Sequence, residues 1–284
     1  MNTRTVAAGI RPANFTRTTP NLAARYFKTG RWHLIPLLWL LRRSDFAREG
    51  IERSGSYRFA DHLYRNAASG RGWFGRWLDR RLLNLPSARG MRARYSEAVR
   101  TMMECFGAHQ AVSPGKPFRL LTVPCGIPRD VRDFISLLPP EQRGVVKYTA
   151  CDIDLEVIAA ARRHLEDVPE ICQDYRNANA LEADGLSENG YDFISSTGLG
   201  EFLDDAQVMQ FYGNVHRWLA PGGVFYTSAT AWERRSAWML EAFELQAHYR
   251  DRAAFSGLLE SCAWNRASYW HDTTGLQTFV KAVK

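Results

Sequence analysis

The chain predicts an α/β protein: a mostly parallel open sheet, a C-terminal antiparallel hairpin and a helical segment ahead of both. Three observations carry that reading. After residue 117, short apolar and β-branched runs alternate five times with segments of helical period. The last two runs, ASYWHD and LQTFVKAV, flank Thr273-Thr274-Gly275 and read as an edge hairpin. Between Leu22 and about Phe106 the signal is helical and rich in Trp and Arg.

A chain of 284 residues, 45% hydrophobic, can bury the core of one such domain and carry an appended segment. The expected division is a disordered leader over 1–22, a helical segment over 23–110 and the sheet domain over 111–284. The leader holds Thr, Asn, Pro and Arg without period. In the helical segment, WHLIPLLWLL is an apolar piece, and Ser44 is placed to cap DFAREGIER. SYRFADHLYRN sets Tyr57, Ala60 and Tyr64 on one side. GWFGRWLDRRLLNL offers Trp73, Trp77 and Leu82-Leu83 as anchors. In the last helix Met91, Tyr95, Val99, Met102 and Phe106 recur at steps of three and four.

The sheet domain opens with FRLLTV, the first strand, followed by the turn Pro124-Cys125-Gly126-Ile127-Pro128. A helix with Val131, Phe134, Ile135 and Leu138 at helical spacing follows, closed by Pro139-Pro140. VVKYTAC (145–151) is the second strand, with LEVIAAARRHL as its helix. ICQDY (171–175) is the third. YDFISST (191–197) is the fourth, leading into DDAQVMQFYGNVHRWL. Pro221-Gly222-Gly223 turns the chain into the fifth strand, 223–229, and two helical pieces, 232–248 and 252–262, precede the hairpin.

The net charge of +7 conceals a split. Residues 1–110 carry 20 basic and 7 acidic side chains, the remainder 17 basic and 23 acidic. Most of the N-terminal cations are Arg, which suits phosphate, carboxylate or anionic lipid, or a solvated face packed on an acidic domain. LIPLLWLL is far shorter than the ~20 residues of a spanning helix and is interrupted by Pro36. Peripheral membrane contact stays compatible with it. The five cysteines (105, 125, 151, 172, 262) show no C-x-x-C pair and no ligand spacing, so no metal is expected and the thiols read as reduced, in the cytoplasm.

In an open parallel sheet ligands sit beyond the carboxyl ends of the strands. The residues there are Gly126, then Asp152, Asn179 and Thr197-Gly198. A carboxylate just after the second strand can accept two ribose hydroxyls at once. VPCGIPRD, CDIDLEVIAAAR, NAL, YDFISSTGLGEFL, LAPGG and the final strand pair together resemble class I S-adenosylmethionine-dependent methyltransferases, from Phe118 to the C-terminus. The resemblance implies a Rossmann-like sheet and S-adenosylmethionine as cofactor. It implies that Cys125 and Gly126 line the amino-acid end, Asp152 holds the ribose, Ile153 and Ala180 sandwich the adenine and Asn179 meets its amino edge. Ser196 or Thr197 would then lie near the reacting sulfonium.

The first motif departs from that family. Thr122 stands where an acid is usual, and Pro124 and Pro128 replace two glycines and cannot donate an N–H. Arg129 or a side chain from the preceding helices is the expected compensation. Glu201 is the candidate base, with a helix-start acid as its competing reading. His216, Tyr249 and His271 are weaker candidates. STGLGEF is not the Asn/Asp-Pro-Pro-aromatic motif of exocyclic-amine methyltransferases, and no cysteine lies in that loop. The expected activity is methyl transfer to a small, apolar or lipid-like acceptor. A nucleic-acid methyltransferase using the Arg-rich segment, and a non-catalytic cofactor-binding module, are the alternatives.

Overall fold

The computed structural model describes residues 26–52, 57–168, 170–182, 186, 190–233 and 247–284. The expected leader and most of the expected helix over 232–248 lie outside the described residues.

Five helices come first: α1 Ile35–Leu41, α2 Asp45–Glu52, α3 Tyr57–Arg65, α4 Gly72–Leu83 and α5 Pro86–Val112. Strands and helices then alternate as β1 Phe118–Thr122, α6 Arg129–Leu137, α7 Pro140–Arg143, β2 Val146–Asp152, α8 Leu155–His164, β3 Cys172–Asn177 and β4 Tyr191–Ser196. The remainder is α9 Asp205–Trp218, β5 Leu219–Thr230, α10 Arg252–Leu259, β6 Arg266–His271 and β7 Gln277–Val283. The seven strands order as β3-β2-β1-β4-β5-β7-β6. The first five are parallel, and β7 runs antiparallel to both β5 and β6. Because β1 sits between β2 and β4, the chain leaves it towards opposite edges, and a crevice opens at that switch point.

Period-two alternation sorts each strand between two cores. Leu120, Phe193, Tyr226 and Phe279 face α5, α6 and α8, whereas Leu121, Ile194, Phe225 and Val280 face α9 and α10. Each fully buried aromatic such as Phe134 or Phe211 contributes about 1.5–3 kcal/mol of burial. A third core joins α1 to α4 and the start of α5 through Phe46, Phe59, Leu63 and Leu82.

Three local expectations change. Pro221-Gly222-Gly223 does not precede the fifth strand but lies inside it: Tyr191 pairs with Leu219 and Phe193 with Val224, so β5 carries a bulge. A Cβ on Gly223 would meet Ala220 O at 2.8 Å and Tyr191 O at 2.9 Å, which is why the bulge needs glycine. Trp73 and Trp77 are not anchors, being 77% and 44% exposed; α4 buries Gly75, Asp79, Leu82 and Leu83 instead. On α5 the deepest line is Gly90, Arg94, Ala98 and Met102, one residue round from the expected stripe at its N-terminal end. Ser44 does cap α2, accepting from Ala47 N at 2.9 Å. Fully buried Asp79 accepts from the Ser44 hydroxyl, Phe46 N, Ser69 N and Gly70 N, tying α2 to the loop before α4.

Candidate functional site

A cleft of about 400 Å³ opens beyond the carboxyl ends of β1, β2 and β4. Its floor is Thr122 and Pro124–Ile127 after β1, Asp152–Asp154 after β2, and Ser195 with Thr197–Leu199 at β4. The facing wall comes from α3 and α5, through Tyr57, Arg58, Tyr64 and Tyr95.

Asp152 ends β2, buried, with Oδ1 accepting from Asp154 N at 3.0 Å. Burial pushes its carboxyl up to about 6, against the opposing pull of amide donors at Asp154, Gly126 and Ile153. Ile153 beside it leaves 43% of its surface open, an apolar platform at the mouth. The turn is held by Asn177, whose amide nitrogen donates to Asp152 O at 3.0 Å and Ile153 O at 2.8 Å.

The turn after β1 is built differently from a glycine-rich cradle. Gly126 adopts φ +52°, a left-handed conformation that favours glycine, although a Cβ there would meet nothing within 4 Å. Cys125 N is spent on Cys151 O at 2.8 Å. Burial pushes the Cys125 thiol far above its ordinary range, which keeps it un-ionised. Thr122, in the position of the missing acid, shares a 2.7 Å hydrogen bond with Tyr148. An acid enters the cleft instead at Asp130, in the first turn of α6. Its Oδ1 accepts from Val131 N at 2.9 Å, and desolvation pushes its carboxyl up to about 6.

The helical wall is fastened at three points. Tyr57 OH and Arg58 Nη2 donate to Glu156 Oε1 of α8 at 2.8 and 2.7 Å. Arg129 Nε donates to Asp61 of α3. Deeper, Arg94 of α5 pairs with Glu201 and Thr230 through Nη2 and with Gln277 through Nε at 2.9 Å. Thr230 also donates to Glu201 Oε1 at 2.7 Å. Arg94 Nη1 would lie 3.2 Å from a Cβ on Gly198, so the loop after β4 is seated on the guanidinium. Tyr64 stacks on Tyr95 with ring centroids 5.5 Å apart.

Of the residues singled out in the sequence, Cys125, Gly126, Asp152, Ile153 and Thr197 line this cleft. Ser196 does not: alternation along β4 buries it, and Ser195 and Thr197 face the cleft. Asn179 turns back on its own loop, Oδ1 accepting from Leu181 N at 3.0 Å and Nδ2 donating to Glu182 at 3.0 Å. Ala180 packs against the α9 core and its carbonyl accepts from Asn214. Glu201 lies behind the cleft against Arg94. Arg129 is engaged by Asp61. His216 contacts Ala263 O and the Trp264 ring, and His271 contacts Thr278, both outside the lining, as is Tyr249.

Sequence reasoning missed Asp130 and Arg94. Asp130 looks like any acid favoured by a helix dipole. Arg94 left no usable signal, since Arg89, Arg92 and Arg100 lie on the same helix and Arg92 and Arg100 are equally one residue from the apolar stripe. The sequence sets Tyr57 and Tyr64 on one side of a helix with Ala60, and the two tyrosines line the cleft while Phe59 and Leu63 enter the core. Among the described residues no group of three or more His, Cys, Asp or Glu is placed to hold a metal.

Residues 47–251 match the model of a family described as "putative methyltransferase". No curated protein matches the chain. Among solved structures, a Bordetella parapertussis protein described as a possible exported protein aligns with TM-score 0.70 at 19% identity, over 88% of this chain and 86% of that one. The CurJ carbon methyltransferase aligns with TM-score 0.56 at 15% identity, over 92% and 69%. The CMeT domain of the citrinin polyketide synthase aligns with TM-score 0.52 at 17% identity, over 79% and 65%. At these identities the structural likeness concerns the fold.

Proposed function

The chain belongs to the putative methyltransferase family, within the class I superfamily, and on that premise we propose that it transfers a methyl group from S-adenosylmethionine to a small apolar acceptor. The observation that carries the reading is the single cleft shared by Gly126, Asp152, Ile153 and Thr197 at the switch point of the sheet. The donor set fits the cofactor. Asp152 presents a carboxylate to the two ribose hydroxyls, and Ile153 presents an apolar face to the adenine. Asp130 presents an anion to the ammonium of the methionine end, in place of the acid missing at Thr122. When bound, S-adenosylmethionine supplies an activated methyl on a sulfonium.

Methyl displacement is in line, so the chain's own contribution is alignment and exclusion of water. Thr197 and Gly198 border the site of transfer, and Tyr64, Tyr95, Leu199 and Phe202 form an apolar and aromatic wall for the acceptor. Glu201 does not line the cleft, and its Oε1 is engaged by Arg94 and Thr230, so it is not placed to meet an acceptor. Its work is to hold Arg94, and through Arg94 the loop after β4. A nucleic-acid acceptor finds little support at the cleft, since Arg58 and Arg94 are both taken up by carboxylates.

A thermal-shift series tests the reading. S-adenosylmethionine and S-adenosylhomocysteine should each stabilise the protein, by about 2.7 kcal/mol at a hundredfold excess over Kd, and NAD should not. Asp152→Ala should remove most of that gain. Stabilisation by NAD, or by none of the three, overturns it. Tight binding without methyl consumption in any extract would favour the non-catalytic module.

A further inference from the structure

Half of the exposed large hydrophobic side chains among the described residues fall in two short segments, 27–40 and 73–77. Phe27, Trp32, Trp39 and Trp73 are 65–77% exposed, with Leu37 and Leu40 between them. The same stretches are cationic. Residues 26–44 hold four Lys or Arg and no acid; residues 69–83 hold four Arg and one acid, Asp79, which is buried on Ser44 and backbone amides. The two segments meet. Arg71 N donates to Arg43 O at 2.9 Å, and a Cβ on Gly75 would lie 2.3 Å from that oxygen. The end of α1 and the start of α4 are therefore in backbone contact.

From this surface we propose that the N-terminal helices dock on an anionic lipid bilayer, with the indoles and leucines entering the interface and the arginines meeting headgroup phosphates. Trp suits the headgroup level because its ring is apolar and its N–H polar, and Arg binds phosphate in a planar fork. Apolar contact plus attraction to anionic headgroups is what holds an interfacial helix. Other occupants fit less well. A second copy offering the same surface meets its own positive charge, and residues 1–25, with four Arg and no acid, are repelled likewise. Single-stranded nucleic acid would find aromatic rings to stack on, but Leu37, Leu40 and Pro36 give a base nothing to stack on. No helix among the described residues is long and apolar enough to cross a membrane, so the contact is peripheral.

The test is co-sedimentation of the full chain with vesicles of phosphatidylcholine alone and of phosphatidylcholine with phosphatidylglycerol in equal parts. Binding should be at least about tenfold stronger to the anionic vesicles and should weaken with salt. Arg76→Glu/Arg80→Glu should reduce it about tenfold or more, and Trp39→Ser/Trp73→Ser should reduce it at low salt too. All four sites are exposed, so both variants should keep the unfolding midpoint and the cofactor-induced thermal shift of the parent. No sedimentation with either vesicle overturns the proposal. So does sedimentation that both variants leave unchanged. Retention on single-stranded RNA, or a dimer, that the tryptophan variant abolishes while vesicles fail to bind would assign the surface to those partners instead.

Discussion

The sheet rim places Thr122 and Asp152 through strand pairing and Thr197 one residue beyond the end of β4, whereas the helical wall of Tyr57, Arg58, Tyr64 and Tyr95 is held by side-chain bridges of unequal burial. Arg94 and Glu201 are 6% and 7% exposed, and Arg58 and Glu156 are 47% and 51% exposed. Both are Arg–Glu pairs joining a preceding helix to the sheet domain. Removing one partner of the buried pair strands a charge away from water, which costs about 3–5 kcal/mol. At the surface, solvent takes over the lost interaction, and the cost is about 0–1 kcal/mol. The α5 edge of the wall is thus pinned by a buried pair, whereas the α3 edge is held by the exposed Arg58–Glu156 bridge and the half-buried Arg129–Asp61 bridge.

Breaking the pinned edge is the largest expected effect. Glu201→Gln should lower unfolding free energy in urea by about 3–5 kcal/mol, and Arg94→Met/Glu201→Met should recover most of it. A loss under about 1 kcal/mol would place the pair with the surface bridges.

On the rim, Asp152 should trade stability for binding. Its carboxyl rises from 3.8 to about 6 on folding, so ionisation is disfavoured in the fold. That cost is absent below the unfolded value, grows as pH rises from about 4 to 6 and is complete above. Asp152→Asn should therefore stabilise the ligand-free protein by on the order of 2 kcal/mol at neutral pH and by nothing at pH 3, while losing the cofactor-induced shift. Equal stability of parent and variant at neutral pH would count against a desolvated carboxylate.

Acid should also weaken cofactor binding. Asp130 and Asp152 both take up protons as pH falls through about 6, so the cofactor Kd measured calorimetrically should rise about tenfold or more between pH 7 and 5. A flat profile removes both carboxylates from the contact.

The smallest effect on stability belongs to Arg58→Ala, at most about 1 kcal/mol. Its signature is kinetic: bound cofactor should leave faster in stopped-flow displacement. An unchanged off-rate would mean that the α3 edge does not gate the cleft.

Much of this is legible in the sequence. β1, β2, β4 and the terminal strand pair follow their apolar runs to within a residue or two, and Gly126, Asp152 and Thr197 sit where strands end and turns begin. The failures are of one kind. The tryptophans of α4 looked like anchors because they are large and apolar, yet the face that packs is set by Gly75 and Asp79 against Arg43 and Ser44. Ser196 and Thr197 could not be separated, because strand phase depends on neighbours. The resemblance set Asn179 at the amino edge of the adenine, yet its side chain turns back on its own loop, and Asn177 is the asparagine that reaches the turn at Asp152.

Hydrophobic period and turn chemistry are local, so the order of strands and helices, and the residues left at the strand ends, were determined by the sequence alone. Which carboxylates lose their water, and which cations neutralise them, was decided only by the tertiary structure. Arg94 and Glu201 lie 107 residues apart, and Arg58 and Glu156 lie 98 apart. A charge is buried, paired or left facing a cleft according to what folding brings against it, and no window of neighbouring residues carries that information.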